Sequence, residues 1–246
     1  MSRYSQFYSQ WLKTSEPRAE KLDCGNCRMA KAGVYRSDLK CCTYFPFLPN
    51  FTVGFLLEKN HPNLHLALQS GRLTPLGLFP TRQSLDHKKS LGSSAFGQSD
   101  ELLCPFFSSS FGGCSIWNTR PAVCSSFFCH SSTEPGAAPG KSLYWQRAEE
   151  QGNLFEWTLA HEVLWRKGFT QSEIEKMAKE DSSHKEIWIE WAAKPHELLI
   201  ELYHVATKVT PQELSLLFAM EPSESMEPSE SMEPEESRLT LTERPC

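Results

Sequence analysis

Cysteine is the residue type whose spacing in this chain points to chemistry. Four cysteines, Cys104, Cys114, Cys124 and Cys129, are separated by nine, nine and four residues, and Cys24 and Cys27 form a CxxC followed, thirteen residues on, by the adjacent pair Cys41 and Cys42. A structural zinc ion takes four ligands in a tetrahedron at about 2.3 Å from each sulfur, and an iron–sulfur cluster likewise takes four thiolates. Eight cysteines therefore match two four-ligand sites, or one site with thiols left for redox work. Gly25 and Asn26, inside the CxxC, tolerate the positive φ of a tight turn that aims backbone N–H groups at a sulfur. Neighbouring residues of an extended chain point in opposite directions, so Cys41 and Cys42 face two sites, or only one of them is a ligand. Pro105, directly after Cys104, removes a competing donor from the turn. Four thiolates on a divalent ion leave a net charge of about −2. Arg120, between Cys114 and Cys124, is the expected outer partner for that charge.

The competing reading of the cysteines is a disulfide framework or small core hydrophobes. No apolar run of signal-peptide type precedes Cys24, and no stretch approaches the roughly 18–20 apolar residues needed to span a bilayer. The expected compartment is therefore cytoplasmic, where thiols stay reduced and dense cysteines favour metal over disulfides. The total of nine agrees, since Cys246 stands apart at the C-terminus. The net charge of −5 is uneven: from Glu221 onward there are eight acidic and two basic residues, which leaves the first 220 residues nearly neutral. That balance disfavours nucleic acid as a partner, and Lys88-Lys89 and Arg166-Lys167 read as solvated charge. The expected partner is the metal ion or cluster itself, with no membrane, and with a protein partner left open.

The elements that must position the cysteines read as mostly α with an irregular, loop-rich cysteine domain and little or no β-sheet. Phe7, Tyr8, Trp11 and Leu12 suit a short helix. Residues 45–57 are the most apolar stretch and read as core, extended at first and then strand or helix. A short helix runs through Leu64, Leu66, Ala67 and Leu68 to Gly71, where His61 and His65 are spaced to share a face but read as surface histidines. Residues 72–101 read as irregular connection, and 131–141 as a second Pro/Gly-rich link. Over 142–167, Leu154, Trp157, Thr158, His161, Leu164 and Trp165 form a helical stripe, widened by Phe155, Leu159 and Val163 and ended by Gly168. Thr170 with Glu173 and Thr210 with Glu213 predict capping boxes, and Pro195 breaks or restarts the helix between them. His161, His196 and His204 read as packed or surface residues. The period-six Glu/Pro/Ser repeat from Glu221 cannot bury enough surface to order itself. The expected organisation is a cysteine domain over 1–140, a helical region over 141–219 packed on it, and an acidic tail over 220–246.

The run Cys114-Ser115-Ile116-Trp117-Asn118-Thr119-Arg120-Pro121-Ala122-Val123-Cys124 resembles the C-x-I-[YW]-x-x-R-P-x-x-C signature of the YkgJ-type cysteine-cluster family, also called the CxxCxxCC family. Cys104-Pro105-Phe106 upstream and Phe128-Cys129 downstream fit that pattern in order and spacing. The resemblance covers residues 24–129 in patches and does not reach 142–246. It departs in two places: thirteen residues separate CxxC from the cysteine pair where the family has two, and Ser125 stands where the family commonly has Arg. The resemblance implies chelation of zinc or iron without implying a reaction. The expected function is thus a metal-binding protein holding zinc or an iron–sulfur cluster through Cys24, Cys27, Cys41, Cys42, Cys104, Cys114, Cys124 and Cys129. Two alternatives stand beside it. Flagellin lysine methylases carry a similar cysteine cluster, which suggests a cluster-dependent modification enzyme, although the sequence has no GxGxxG or comparable cofactor loop. A redox- or metal-sensing scaffold that recruits a partner is the other.

Overall fold

The computed structural model describes residues 27–110, 112–125, 143–179, 182–210, 212–213 and 216. The helix expected near residues 7–12, the link at 131–141, Cys24, Cys129 and the acidic tail lie outside them. In chain order the elements are α1 (Arg28–Lys31), β1 (Leu48–Pro49), α2 (Asn50–Glu58), α3 (Leu64–Ser70), β2 (Gly71–Thr74), β3 (Gly77–Pro80), α4 (Arg82–Leu91), β4 (Phe107–Ser108), β5 (Gly113–Cys114), α5 (Ala122–Ser125), α6 (Leu143–Arg166), α7 (Gln171–Ala178), α8 (His184–Trp188) and α9 (Pro195–Ala206). Among the described residues helices dominate, and the β-structure is confined to two small antiparallel sheets: β3 lies between β1 and β2, and β4 pairs with β5. Among the described residues no helix is long and apolar enough to cross a membrane.

One continuous apolar core draws on both sides of residue 140. Leu48, Val53, Leu56, Leu76, Leu78 and Phe106 meet Leu159, Val163, Leu164, Ile174, Trp188, Leu198, Leu199 and Leu202. Burial of this apolar surface is the main favourable contribution to the fold. Asn50 joins the layers. Its side-chain amide donates to Pro75 O at 2.9 Å and to Ala160 O at 3.0 Å, while its Oδ1 accepts from the Phe51 N–H at 2.8 Å. A fully buried amide is tolerable only because all of these bonds are made. They fix the start of α2 against α6 and against the turn between β2 and β3.

Where helix signals are local, sequence and structure agree. Thr170 and Glu173 form the expected reciprocal capping box on α7, and Thr210 and Glu213 bond in the same way. The apolar run over residues 45–57 divides into β1 and then α2. The stretch over 72–101 is different from the irregular connection expected of it. It holds most of the β2–β3 hairpin, with Leu73 opposite Leu78, and then helix α4. Gly71, Pro75, Gly77 and Pro80 delimit two very short strands, so the residues that look like breakers are the hairpin's own boundaries. Helix α4 buries none of its residues and so carries no periodic apolar stripe.

Helix α6 follows its expected length but turns a different face inward. The residues expected to widen the stripe, Phe155, Leu159 and Val163, take the core together with Ala160 and Leu164, while Leu154 is 53% exposed and Trp165 is 42% exposed. Small Ala160 lets α6 approach Asn50 closely, and that contact joins the core packing in holding this face inward. His161 is left half-buried at the edge, its Nδ1–H donating to Trp157 O at 2.8 Å and its ring 4.5 Å from that of Trp157. Burial pushes the His161 pKa below its ordinary value of 6.5, against the opposing pull of the Trp157 carbonyl. The unfolded chain therefore binds a proton that the folded chain resists. The contribution of His161 to stability is full above the ordinary histidine pKa, is lost as pH falls below about 6.5, and levels off below the folded pKa. Thermal melts between pH 7.5 and 5 should show this decline, and in His161→Gln the decline should be shallower.

Candidate metal centre

Cys41 and Cys42 lie far in sequence from Cys104, and a clasp of hydrogen bonds brings their segments together. Residues 34–43 run against residues 93–104. The Arg36 N–H donates to Gly97 O at 2.8 Å, the Gly97 N–H to Thr43 Oγ1 at 2.6 Å, and the Cys104 N–H to Cys42 O at 2.8 Å. The Gln98 side chain closes the clasp on Val34 O. Gly97 has φ +74°, and a Cβ there would stand 2.1 Å from the Tyr35 ring, so both the backbone conformation and the packing require glycine.

Beyond the clasp, Cys104-Pro105-Phe106-Phe107 makes a turn, closed by the Phe107 N–H on Cys104 O at 2.9 Å, that enters β4. Strand β5 returns beside it with Cys114 opposite Phe107. A 3-10 turn over Trp117–Thr119 then leads through Arg120 and Pro121 to α5, which carries Cys124. Hairpin and turn thus fold the nine-residue spacings back on themselves, so that Cys104 and Cys114 both influence the Cys124 thiol.

The thiols there act on one another. Burial is the largest influence on Cys124 and pushes its thiol well above the ordinary cysteine range, followed by the charges that Cys104, Cys114 and Cys41 would carry. For Cys104 burial again leads and raises the thiol to about 12; Cys114 and Cys41 add to it, and the Phe106 and Phe107 N–H groups, donating to the sulfur, oppose it. Cys41 is also raised, first by its hydrogen bond with the neighbouring Cys42 thiol and then by burial. Arg120 opposes the rise at both Cys41 and Cys124. Its guanidinium lies 3.5 Å from the Trp117 ring centroid and donates to Trp117 O at 3.2 Å and to Cys124 O at 3.3 Å, which fixes the charge beside the thiols.

Of the eight expected ligands, Cys41, Cys104, Cys114 and Cys124 lie near enough for the charge of one to influence another, and Cys42 neighbours Cys41. Cys27 lies just before α1, partly buried, its carbonyl accepting the Lys31 N–H. Among the described residues no group of three or more histidine, cysteine or acidic side chains is gathered tightly enough to hold an ion. The chemistry of the donor set still fits a thiophilic metal. The thiols of Cys104 and Cys124 are held neutral by burial and by the charges neighbouring thiols would carry, and a bound cation reverses that cost by deprotonating its sulfur ligands.

His61 and His65 do not add to the donors. The His61 Nδ1 accepts from the Asn63 N–H at 3.3 Å and its Nε2–H donates to Ser115 O at 3.3 Å, so both nitrogens are engaged, the second in holding the segment that follows Cys114. His65 is exposed, on Pro62 O. Set against protein-family models, curated proteins and solved structures, the chain matches none. The site therefore rests on its own geometry and on its motif.

Two charged residues escaped the sequence reading because charge ordinarily marks surface. Lys40, 8% exposed and at φ +57°, reaches across from the Cys41 turn to donate to Gly112 O, next to β5. Glu156, 3% exposed on α6, accepts from the first N–H of α5. Each ties a cysteine-bearing segment to its surroundings.

Proposed function

We propose that this chain is a metal-binding protein, with zinc or an iron–sulfur cluster held by Cys41, Cys104, Cys114 and Cys124 in one centre, and Cys24, Cys27, Cys42 and Cys129 available to a second site or to the margin of the first. The observation that carries the reading is that Cys104 and Cys124 both feel the charges that Cys114 and Cys41 would carry, with the Arg120 guanidinium held on Trp117 and opposing the rise at Cys124. The likeness of the Cys114-to-Cys124 run to the YkgJ-type signature supports it independently. The reading implies a compartment in which thiols are reduced, such as the cytoplasm. A bound metal would supply the positive charge that lets all four sulfurs ionise; the chain supplies burial, the Phe106 and Phe107 N–H donors and the fixed guanidinium.

The deciding experiment is metal analysis with ultraviolet–visible spectra on protein purified without oxygen. Zinc without colour, or iron with sulfide and a brown colour, is the expected alternative pair of results. A folded preparation containing neither would remove the proposal. Arg120→Met should weaken metal retention by roughly 10- to 100-fold, the usual scale for losing an outer partner of a metal site. Competition against a chromophoric chelator measures it. Arg120→Lys should recover only part of the loss, because an ammonium cannot stack flat on Trp117 while donating to two carbonyls.

A further inference from the structure

We infer that Glu156 is the positioning residue for Cys124, an assignment of role that rests on the metal-site reading above. Helix α5 is four residues long, too short to hold its shape without outside support. It is anchored at both ends. The Glu156 Oε1 accepts the Ala122 N–H at 2.9 Å at its start, and Arg120 Nη1 donates to Cys124 O at 3.3 Å near its end. Its internal bonds, from the Cys124 and Ser125 N–H groups to Pro121 O and from Ser125 Oγ to Ala122 O, shape the turn without fixing its place in the molecule. Fixing that place falls to Glu156, because α6 is a long element seated in the core through Phe155, Leu159 and Ala160.

Packing alone would choose another residue here. Between the buried Phe155 and Leu159 a leucine would bury apolar surface without the cost of desolvating a carboxylate. A glutamate makes sense where its oxygen accepts an N–H at a buried helix start, as the Glu156 Oε1 does from Ala122. The consequence is directional: shortening or removing the side chain releases α5 and with it Cys124, while Cys104, held by the Cys42 carbonyl and the β4–β5 hairpin, stays in place.

The test uses the full-length protein, metal-free and reduced, treated with iodoacetamide and read cysteine by cysteine by mass spectrometry. In Glu156→Ala, Cys124 should alkylate about tenfold faster or more, as expected when a buried charge-assisted hydrogen bond is lost. Cys104 should stay within about twofold of the unsubstituted chain, the margin expected of a site whose own hydrogen bonds are untouched. Glu156→Gln, which keeps an acceptor oxygen at the same reach, should restore slow alkylation of Cys124. Glu156→Asp, one methylene short, should accelerate it; this variant carries the test if the alanine variant does not fold. Equal acceleration of Cys104 and Cys124, unchanged Cys124 in the alanine or aspartate variant, or a glutamine variant as fast as alanine would each overturn the assignment. Because no metal enters the measurement, a chain that binds none would defeat the proposed function and leave this result standing on its own.

Discussion

Serine at Cys41, Cys104, Cys114 or Cys124 should remove one and the same equivalent of bound metal, whereas Cys27→Ser should leave that equivalent in place. The expectation follows from which thiols act on one another: Cys124 responds to Cys104, Cys114 and Cys41, and Cys104 responds to Cys114 and Cys41. Oxygen in place of sulfur leaves a hydroxyl that does not ionise near neutral pH and is a poor ligand for a thiophilic ion. Losing a ligand must therefore exceed the roughly 10- to 100-fold loss that follows removal of an outer partner such as Arg120. Structural zinc in small domains contributes about 10–16 kcal/mol of apparent binding free energy, so a centre of this kind also supports the fold around it. Chelation should lower the melting temperature of the unsubstituted chain and have less effect on the four serine variants, which lack the linkage. Metal per chain for the five variants, with cobalt as a coloured substitute where zinc is found, is the measurement. Loss of the same equivalent in Cys27→Ser, or its retention in any of the other four, would contradict this membership of the centre.

The candidate ligand atoms were legible because cysteine is rare, its spacing regular, and its chemistry specific. Which of the cysteines meet was not. That depends on bonds with no local signature: the Cys104 N–H on Cys42 O, and a clasp that closes only because residue 97 lacks a side chain. Helix ends were legible where a side chain and a backbone N–H three residues apart satisfy each other, as at Thr170 and Glu173. The β2–β3 hairpin was not, since each strand spans four residues and period-two alternation needs more length to stand out. Helix α6 marks the boundary between the two cases. Its existence followed from its length and period, but apolar residues on nearly every side left its rotation open, and long-range packing set it, with Phe155, Leu159, Val163 and Leu164 in the core and Ala160 O on Asn50. Lys40 and Glu156 show the same limit for the site: their burial comes from tertiary structure, and sequence alone reads both as solvent-facing.

Gly54→Ala should destabilise the protein by about 3 kcal/mol or more, at the upper end of the range for overpacking a core. Helix propensity predicts the opposite, since alanine in a helix interior is favoured over glycine by roughly 0.5–1 kcal/mol. Contact decides the sign. Gly54 lies inside α2 where α9 crosses it, and an added Cβ would stand 2.0 Å from the Leu199 carbonyl oxygen and 2.9 Å from Tyr203 Cβ. The nearest obstacle is the backbone of a second helix, which no rotamer change can clear, so the two helices must separate. Separation opens the packing of Leu199 and Leu202 and the edge contact between Phe55 and Tyr203, whose ring centroids are 5.5 Å apart. Gly33→Ala provides the control: Gly33 has φ +76° but open space around it, so the added methyl should cost only the left-handed backbone strain, about 1–2 kcal/mol. Denaturant unfolding of both variants measures the difference. A Gly54 variant no less stable than the Gly33 variant would mean that α2 and α9 do not pack as closely as described. The effect should also reach the cysteine centre, because α2 leads directly into His61, whose ring nitrogens hold Asn63 and the Ser115 carbonyl beside Cys114. Metal retention at that centre should therefore fall with Gly54→Ala and stay unchanged with Gly33→Ala.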